Sequence, residues 1–247
     1  MRYAPKFASD IVIRLPLFKV LMKRVPSIEL LDNDEGTAQE ISASLADLRN
    51  INRWFGGINT TETMLKTVAR ACGSKKLSVL EVASGRGDLP KAVGERTRSA
   101  GLELDITFSD RLASHLDGHT RSVAADVLSL PFSENAFDVV HSALFIHHLA
   151  PAQVADCIRE SLRVCRKAVL VNDVVRHPLH LMLVYAGLPL FKSRITHNDA
   201  PASVRQAYTA AEVYDILRQI AGATIEIRSH YLFRMGVIVW KRGQAHV

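Results

Sequence analysis

Two adjacent histidines, His147 and His148, stand in the phrase FDVVHSALFIHHLAP, between an apolar strand pattern and a helix opened by Pro151. A neutral imidazole is the usual agent for taking a proton near pH 7. The loop at the carboxyl end of a strand is where open α/β sheets bind ligands. Upstream, LSVLEVASGRGDLP runs from an apolar segment through Gly85 and Gly87 toward a helix, an arrangement that lets a ligand approach the main chain closely. The dinucleotide fingerprint G-x-G-x-x-G does not fit, because its third glycine would fall at Pro90. A Walker loop does not fit either, because no Gly-Lys-Ser/Thr follows. What remains is E-x-x-x-G-x-G, with Glu81 on the strand and Ala83, Gly85 and Gly87 in the turn.

Two acids follow at the ends of the next strand patterns. Asp110 closes LDITFSD, 23 residues beyond Gly87 and next to Arg111. A carboxylate there can take both vicinal hydroxyls of a ribose, one on each oxygen. Asp126, followed by Val127 in AADVLSLPF, ends the third. Singly, each has an ordinary structural reading: Glu81 as an edge charge, the aspartates as caps or turn residues, the glycines as a tight turn. Their order and spacing together set them apart.

The elements that must position these residues alternate from residue 77 onward. Strands are predicted over residues 78–83, 104–109, 122–125, 137–142, 168–174, 224–229 and 237–240, mostly short apolar runs of the kind buried in a parallel sheet. Helices are predicted over 89–99, 151–164 and 209–220, the last with Thr209 as N-cap and Glu212 completing a capping box. This is a doubly wound, mostly parallel sheet ending in a hairpin. Ahead of it, residues 37–55 and 61–71 read as helices closed by Gly56-Gly57 and Gly73, free to lie across the top of the sheet. The expected division is a helical cap over residues 1–73 and a main domain over 74–247, with residues 174–208 inserted as a substrate cover.

The four elements from Leu77 to Leu149 resemble the class I S-adenosylmethionine (SAM) dependent methyltransferases. The resemblance implies a Rossmann-like α/β fold of seven strands, the last one antiparallel, and SAM as cofactor. It implies SAM contacts from Glu81, Ala83, Gly85, Gly87, Asp110, Arg111, Asp126, Val127 and Ser142, with Asp126 meeting the adenine amino group. Ala83 and Ser84 stand where Gly-Cys is usual, and both are small. The phrases ELLDNDE, DLRNINRWFGG, VNDVVRHPL and SRITHNDAPASVRQAYT further resemble bacterial small-molecule methyltransferases associated with polyketide pathways, which implies phenolic or polyketide-like acceptors. By the same likeness His147 is the base and His148 its support, one facing the pocket and the other the protein. Asp173, Arg176 and His177 are the candidate acceptor contacts. Carbon as the nucleophile, on a quinone or enol-like acceptor, and a SAM-binding module without catalysis remain the alternatives.

Other classes are disfavoured. The DNA amino-methylating signature Asp/Asn-Pro-Pro-aromatic is replaced by HSALFIHH, and an isolated His pair is a poor metal set, so no metal is expected. The net charge of +6 is carried by scattered residues at the two ends of the chain, +4 over residues 1–31 and +5 over 176–247, against −3 between them. That pattern lacks the clustered face of a nucleic-acid binder. Cys72, Cys157 and Cys165 have no metal-ligand spacing and read as reduced thiols, consistent with a cytoplasmic enzyme. Residues 9–27 mix apolar and basic side chains, and Pro16 and Pro26 limit any helix there to about nine residues. So short a helix favours capping or homodimer packing over a membrane contact.

Overall fold

The computed structural model describes residues 22–33, 35–116 and 121–243. Seven strands, β1 (Lys76–Val82), β2 (Glu103–Asp110), β3 (Ser122–Ala124), β4 (Phe137–Ala143), β5 (Cys165–Val174), β6 (Ala223–His230) and β7 (Arg234–Lys241), form one sheet in the order β3-β2-β1-β4-β5-β7-β6. Strands β1 to β5 pair in parallel, and β7 runs antiparallel to both β5 and β6. The chain order reverses between β1 and β4, the switch point at which such sheets open a crevice.

Among the described residues the α-helices are α1 (Ala38–Trp54), α2 (Gly57–Ala71), α3 (Asp88–Ser99), α4 (Pro151–Val164), α5 (Pro178–Gly187), α6 (Arg194–Gln206) and α7 (Ala210–Leu217). Local chemistry sets several of their ends. Thr37 and Glu40 form a capping box on α1, and Thr209 and Glu212 form one on α7. These satisfy N–H groups that have no partner within the helix. Val154, Ile158 and Val164 of α4 and Val213 and Leu217 of α7 bury against Val140, Val169, Val171 and Val239 on one face.

The opposite face is covered by Met64, Leu65 and Val68 of α2 with Val93 of α3, packed on Val79, Val139, Leu170 and Ile238. This corrects the expectation that both N-terminal helices lie across the top of the sheet: α2 lies against a face of it. Gly56 alone makes the reversal, at φ +79°, and Gly57 already belongs to α2. A Cβ on Gly57 would come within 2.4 Å of Asn52 Oδ1, so the close approach of the two helices requires glycine there.

Residues 22–30 run without helix. Arg24 donates to the carbonyls of Gln206, His147 and Leu149, and the Leu30 and Leu31 amides donate to Asp199 of α6. Of the segment 9–27 read for capping, dimer packing or membrane contact, residues 9–21 lie outside the described residues. No helix among the described residues is long and apolar enough to cross a membrane.

Candidate active site

The carboxyl ends of β1, β2 and β4 open into a cavity of about 950 Å³, roofed by α1, α5 and α6. Its first half is built on the turn after β1. Gly85 and Gly87 take φ of +50° and +66°, and Ala83 is also left-handed at +50°, a costly conformation for a residue with a Cβ. A Cβ on Gly85 would meet no atom within 4 Å, so the main chain is open to the cavity at that point. Asp110 Oδ2 accepts from the Gly85 amide at 2.9 Å and Oδ1 from the Leu112 amide at 3.0 Å. Oδ2 keeps a lone pair for a ligand hydroxyl, while Oδ1 also faces His115 Nδ1 at 3.5 Å. Burial works to raise this carboxyl, and the His115 imidazole with the two amides outweighs it, holding Asp110 ionised below its ordinary value. Asp126 spends Oδ1 on the Leu128 amide and is otherwise exposed to the cavity.

The second half is a cluster of histidines and carboxylates. His147 is buried, with Nδ1 2.7 Å from Asp173 Oδ1 and Nε2 3.6 Å from Glu29 Oε1, the latter an ion-pair contact rather than a hydrogen bond. Burial opposes charge on this ring, but Asp173, and after it Glu29, more than offset it and lift the imidazole to about 10. Glu29 Oε1 also accepts from Ser203 Oγ at 2.6 Å and Gln206 Nε2 at 2.7 Å. His148 packs against His147 with ring centroids 4.1 Å apart. Its Nδ1 is 2.9 Å from Asp32 Oδ2, close enough for a hydrogen bond but without the alignment for one, so that buried nitrogen has no hydrogen-bond partner. Glu29, His147 and His148 each present a ligand atom within 4.8 Å of the others, a set that could hold a divalent cation.

Residues 79–168 match a protein family described as a methyltransferase domain. The match spans a little over a third of the chain and is to a methyltransferase domain. Among solved structures, the plantazolicin methyltransferase BpumL with SAH superposes at a TM-score of 0.65 and 10% identity, over 87% of this chain and 94% of that one. A SAM dependent methyltransferase from Aquifex aeolicus gives 0.56 and 15%, over 81% and 97%. Human N-acetylserotonin methyltransferase with SAM gives 0.60 and 14%, over 88% and 60%. At these identities the likeness is one of fold. No curated protein matches the sequence.

The cofactor that a methyltransferase domain implies is SAM, and the loop half of the cavity has the donors and acceptors to hold it. Glu81, Ala83, Gly85, Gly87, Asp110, Arg111, Asp126 and Val127 all line the cavity. Ser142 does not: it is buried inside β4 between Val82 and Val171, and the wall beside it is Ala143 with Leu144, the latter left-handed at φ +53°.

The acceptor-side expectations need larger corrections. Asp173 stands behind His147 rather than on the cavity wall. Arg176 is buried away from the cavity, donating to the carbonyls of Met22 and Ala207 and to Glu212 Oε1. His177 caps α5 by accepting from the Leu179 amide. Nor do the two histidines point apart, because their rings pack on one another and both reach the cavity. Glu29, Asp32, His180, Phe233 and Arg234 also line the cavity, and sequence reasoning assigned none of them a role. Glu29 and Asp32 fall within the phrase ELLDNDE, but only tertiary contacts reveal what they touch.

Proposed function

We propose that this methyltransferase transfers a methyl group to the hydroxyl of a small, largely apolar acceptor of phenolic or polyketide-like character. The observation that carries the reading is the joining, in one cavity, of the loop half with an acceptor half walled by Leu183, Val184, Leu190, Phe191 and Phe233 around the histidine pair. When bound, SAM supplies an electrophilic methyl group on a sulfonium centre. The protein's tasks are to align the acceptor, exclude water and remove the hydroxyl proton.

The proton-taking role passes from His147 to His148. An imidazole lifted to about 10 is already protonated at neutral pH, and both of its nitrogens face carboxylates. His148 carries the ring nitrogen without a hydrogen bond, and Asp32 offers a counter-charge once the ring is protonated. His147 then acts as a positioning residue that fixes its neighbour's ring. The α5–α6 segment, within the proposed cover over residues 174–208, supplies the apolar roof.

The test is an assay of phenols and of enol-like carbon acceptors, with SAH release and the site of the new methyl group read by NMR. Methoxy products are expected. Methylation at carbon alone would replace this reading with the carbon-nucleophile one.

A further inference from the structure

We propose that Arg234 is an anion-binding residue of the acceptor subsite, so that the preferred acceptor carries a carboxylate or comparable anionic group as well as the hydroxyl that is methylated. The inference rests on the function proposed above and names the acceptor more narrowly.

Arg234 begins β7, lines the cavity and is only 1% exposed. A guanidinium so buried ordinarily has a carboxylate partner, because desolvating an uncompensated charge is costly. Here its hydrogen bonds go to neutral amides, NH2 to Asn52 Oδ1 at 2.9 Å and NH1 to Asn172 Oδ1 at 3.3 Å. Among the described residues no carboxylate forms an ion pair with it, although two other buried cationic side chains, His147 in the acceptor half and Arg176 outside the cavity, each have one. Burial pushes Arg234 down to about 10, with the field of Asp173 as the opposing influence. The same positive charge helps to hold the neighbouring His180 below its ordinary value, after burial. The two amides fix the fork's direction, and Asp173 acts on the charge only through its field, so no carboxylate is paired with the guanidinium.

The turn before it supplies a second, independent observation. Leu232 and Phe233 both adopt left-handed backbone, at φ +49° and +62°. Consecutive bulky residues are rarely found there, and such strain gathers at ligand sites. Phe233 is held in place by stacking on His177 at 4.9 Å and His180 at 5.1 Å, and by its carbonyl accepting from the Val175 amide. The strained turn thus sets an aromatic face and a cation side by side on the cavity wall.

β7 pairs with β5 so that Arg234 lies opposite Val174 and Met235 opposite Asp173, the residue that holds His147. The cationic point and the proton-handling cluster therefore belong to neighbouring strand ends. One small molecule with an anionic group near its hydroxyl matches that layout, and guanidinium pairs with carboxylate in a planar, two-pronged fashion.

The test compares 2-hydroxybenzoate with its methyl ester and with phenol, on the parent protein and on Arg234→Gln and Arg234→Lys. In the presence of SAH, calorimetry should show the parent binding 2-hydroxybenzoate at least about 10-fold more tightly than the ester or phenol. Arg234→Gln should lose that preference, Arg234→Lys should keep part of it, and SAH affinity should be unchanged in both. Parent binding that does not distinguish acid from ester would overturn the proposal without any variant having to fold. So would a fall in SAH affinity in Arg234→Gln, which would give the residue to the cofactor. Because binding is read without turnover, a preference for the acid with no methylated product would retain the anion subsite and reject the O-methylation reading.

Discussion

His147 Nδ1 lies 2.7 Å from Asp173 Oδ1, and both groups are almost completely buried. The pair turns the loop after β4 into a charged fixture rather than a free base. An imidazole raised to about 10 contributes stability that is fully present below about pH 6.5 and is lost as pH rises through about 10. Asp173 and Glu29 are held below their ordinary values, against burial, chiefly by His147, so their contribution is in place above about pH 4 and is lost in acid. Urea unfolding of the parent and of His147→Gln should differ by about 3 to 5 kcal/mol at pH 7, and the gap should narrow by pH 10.5. A constant gap across that range would mean that the ring is neutral in the folded protein.

Replacing His148 with Ala should lower kcat by roughly 10²- to 10⁴-fold, with SAM affinity intact and the loss shrinking as pH nears the acceptor's own pKa. A mutant as active as the parent at pH 7 would leave alignment alone to explain the rate.

Asp110→Ala should abolish measurable SAM binding and Asp110→Asn should weaken it. The cost is on the order of 2 to 4 kcal/mol for losing charge-assisted bonds to ribose hydroxyls. Calorimetry on folded protein decides it, and unchanged affinity would remove Asp110 from the cofactor site. Asp126 should matter less, because it is exposed and one oxygen is already engaged.

Extensive dialysis against a chelator should leave methyl transfer unchanged, since the proposed proton removal uses His148 and Asp32. A loss of activity restored by a divalent cation would instead make ligands of Glu29, His147 and His148.

Exchanging residues 174–208 with those of a relative should change acceptor choice while leaving SAM affinity alone. Acceptor KM values and SAH calorimetry on the chimera would measure this. An exchange that altered thermal stability only would make α5 and α6 a packing element.

What could be read from the sequence was what is local. The apolar runs of the strands, the Thr209–Glu212 capping box and the turn from Ala83 to Gly87 each act within a few residues, so the sheet and the glycine turn after β1 were legible. The start of α2 was not, because Gly57 is dictated by its approach to Asn52 in the preceding helix. Arg176 was misread as an acceptor contact for a similar reason: an arginine's role depends on which oxygens surround it, and here they are the carbonyls of Met22 and Ala207 and the carboxylate of Glu212. Glu29 and Arg234 left no local signal, since their partners come from distant parts of the chain.

The run from Met22 to Asn33 carries Glu29 and Asp32 into the acceptor half, yet the partners of Glu29 on α6, Ser203 and Gln206, are separated from it by 174 and 177 positions. At about 5 to 20 residues per second of synthesis, this early segment waits roughly 10 to 35 s before its docking surface exists. The Ala83–Gly87 turn and Asp110 are complete long before that. The acceptor half is therefore the last part of the cavity that synthesis can close: its earliest segment must wait for α6, although the residues of the loop half have long been made.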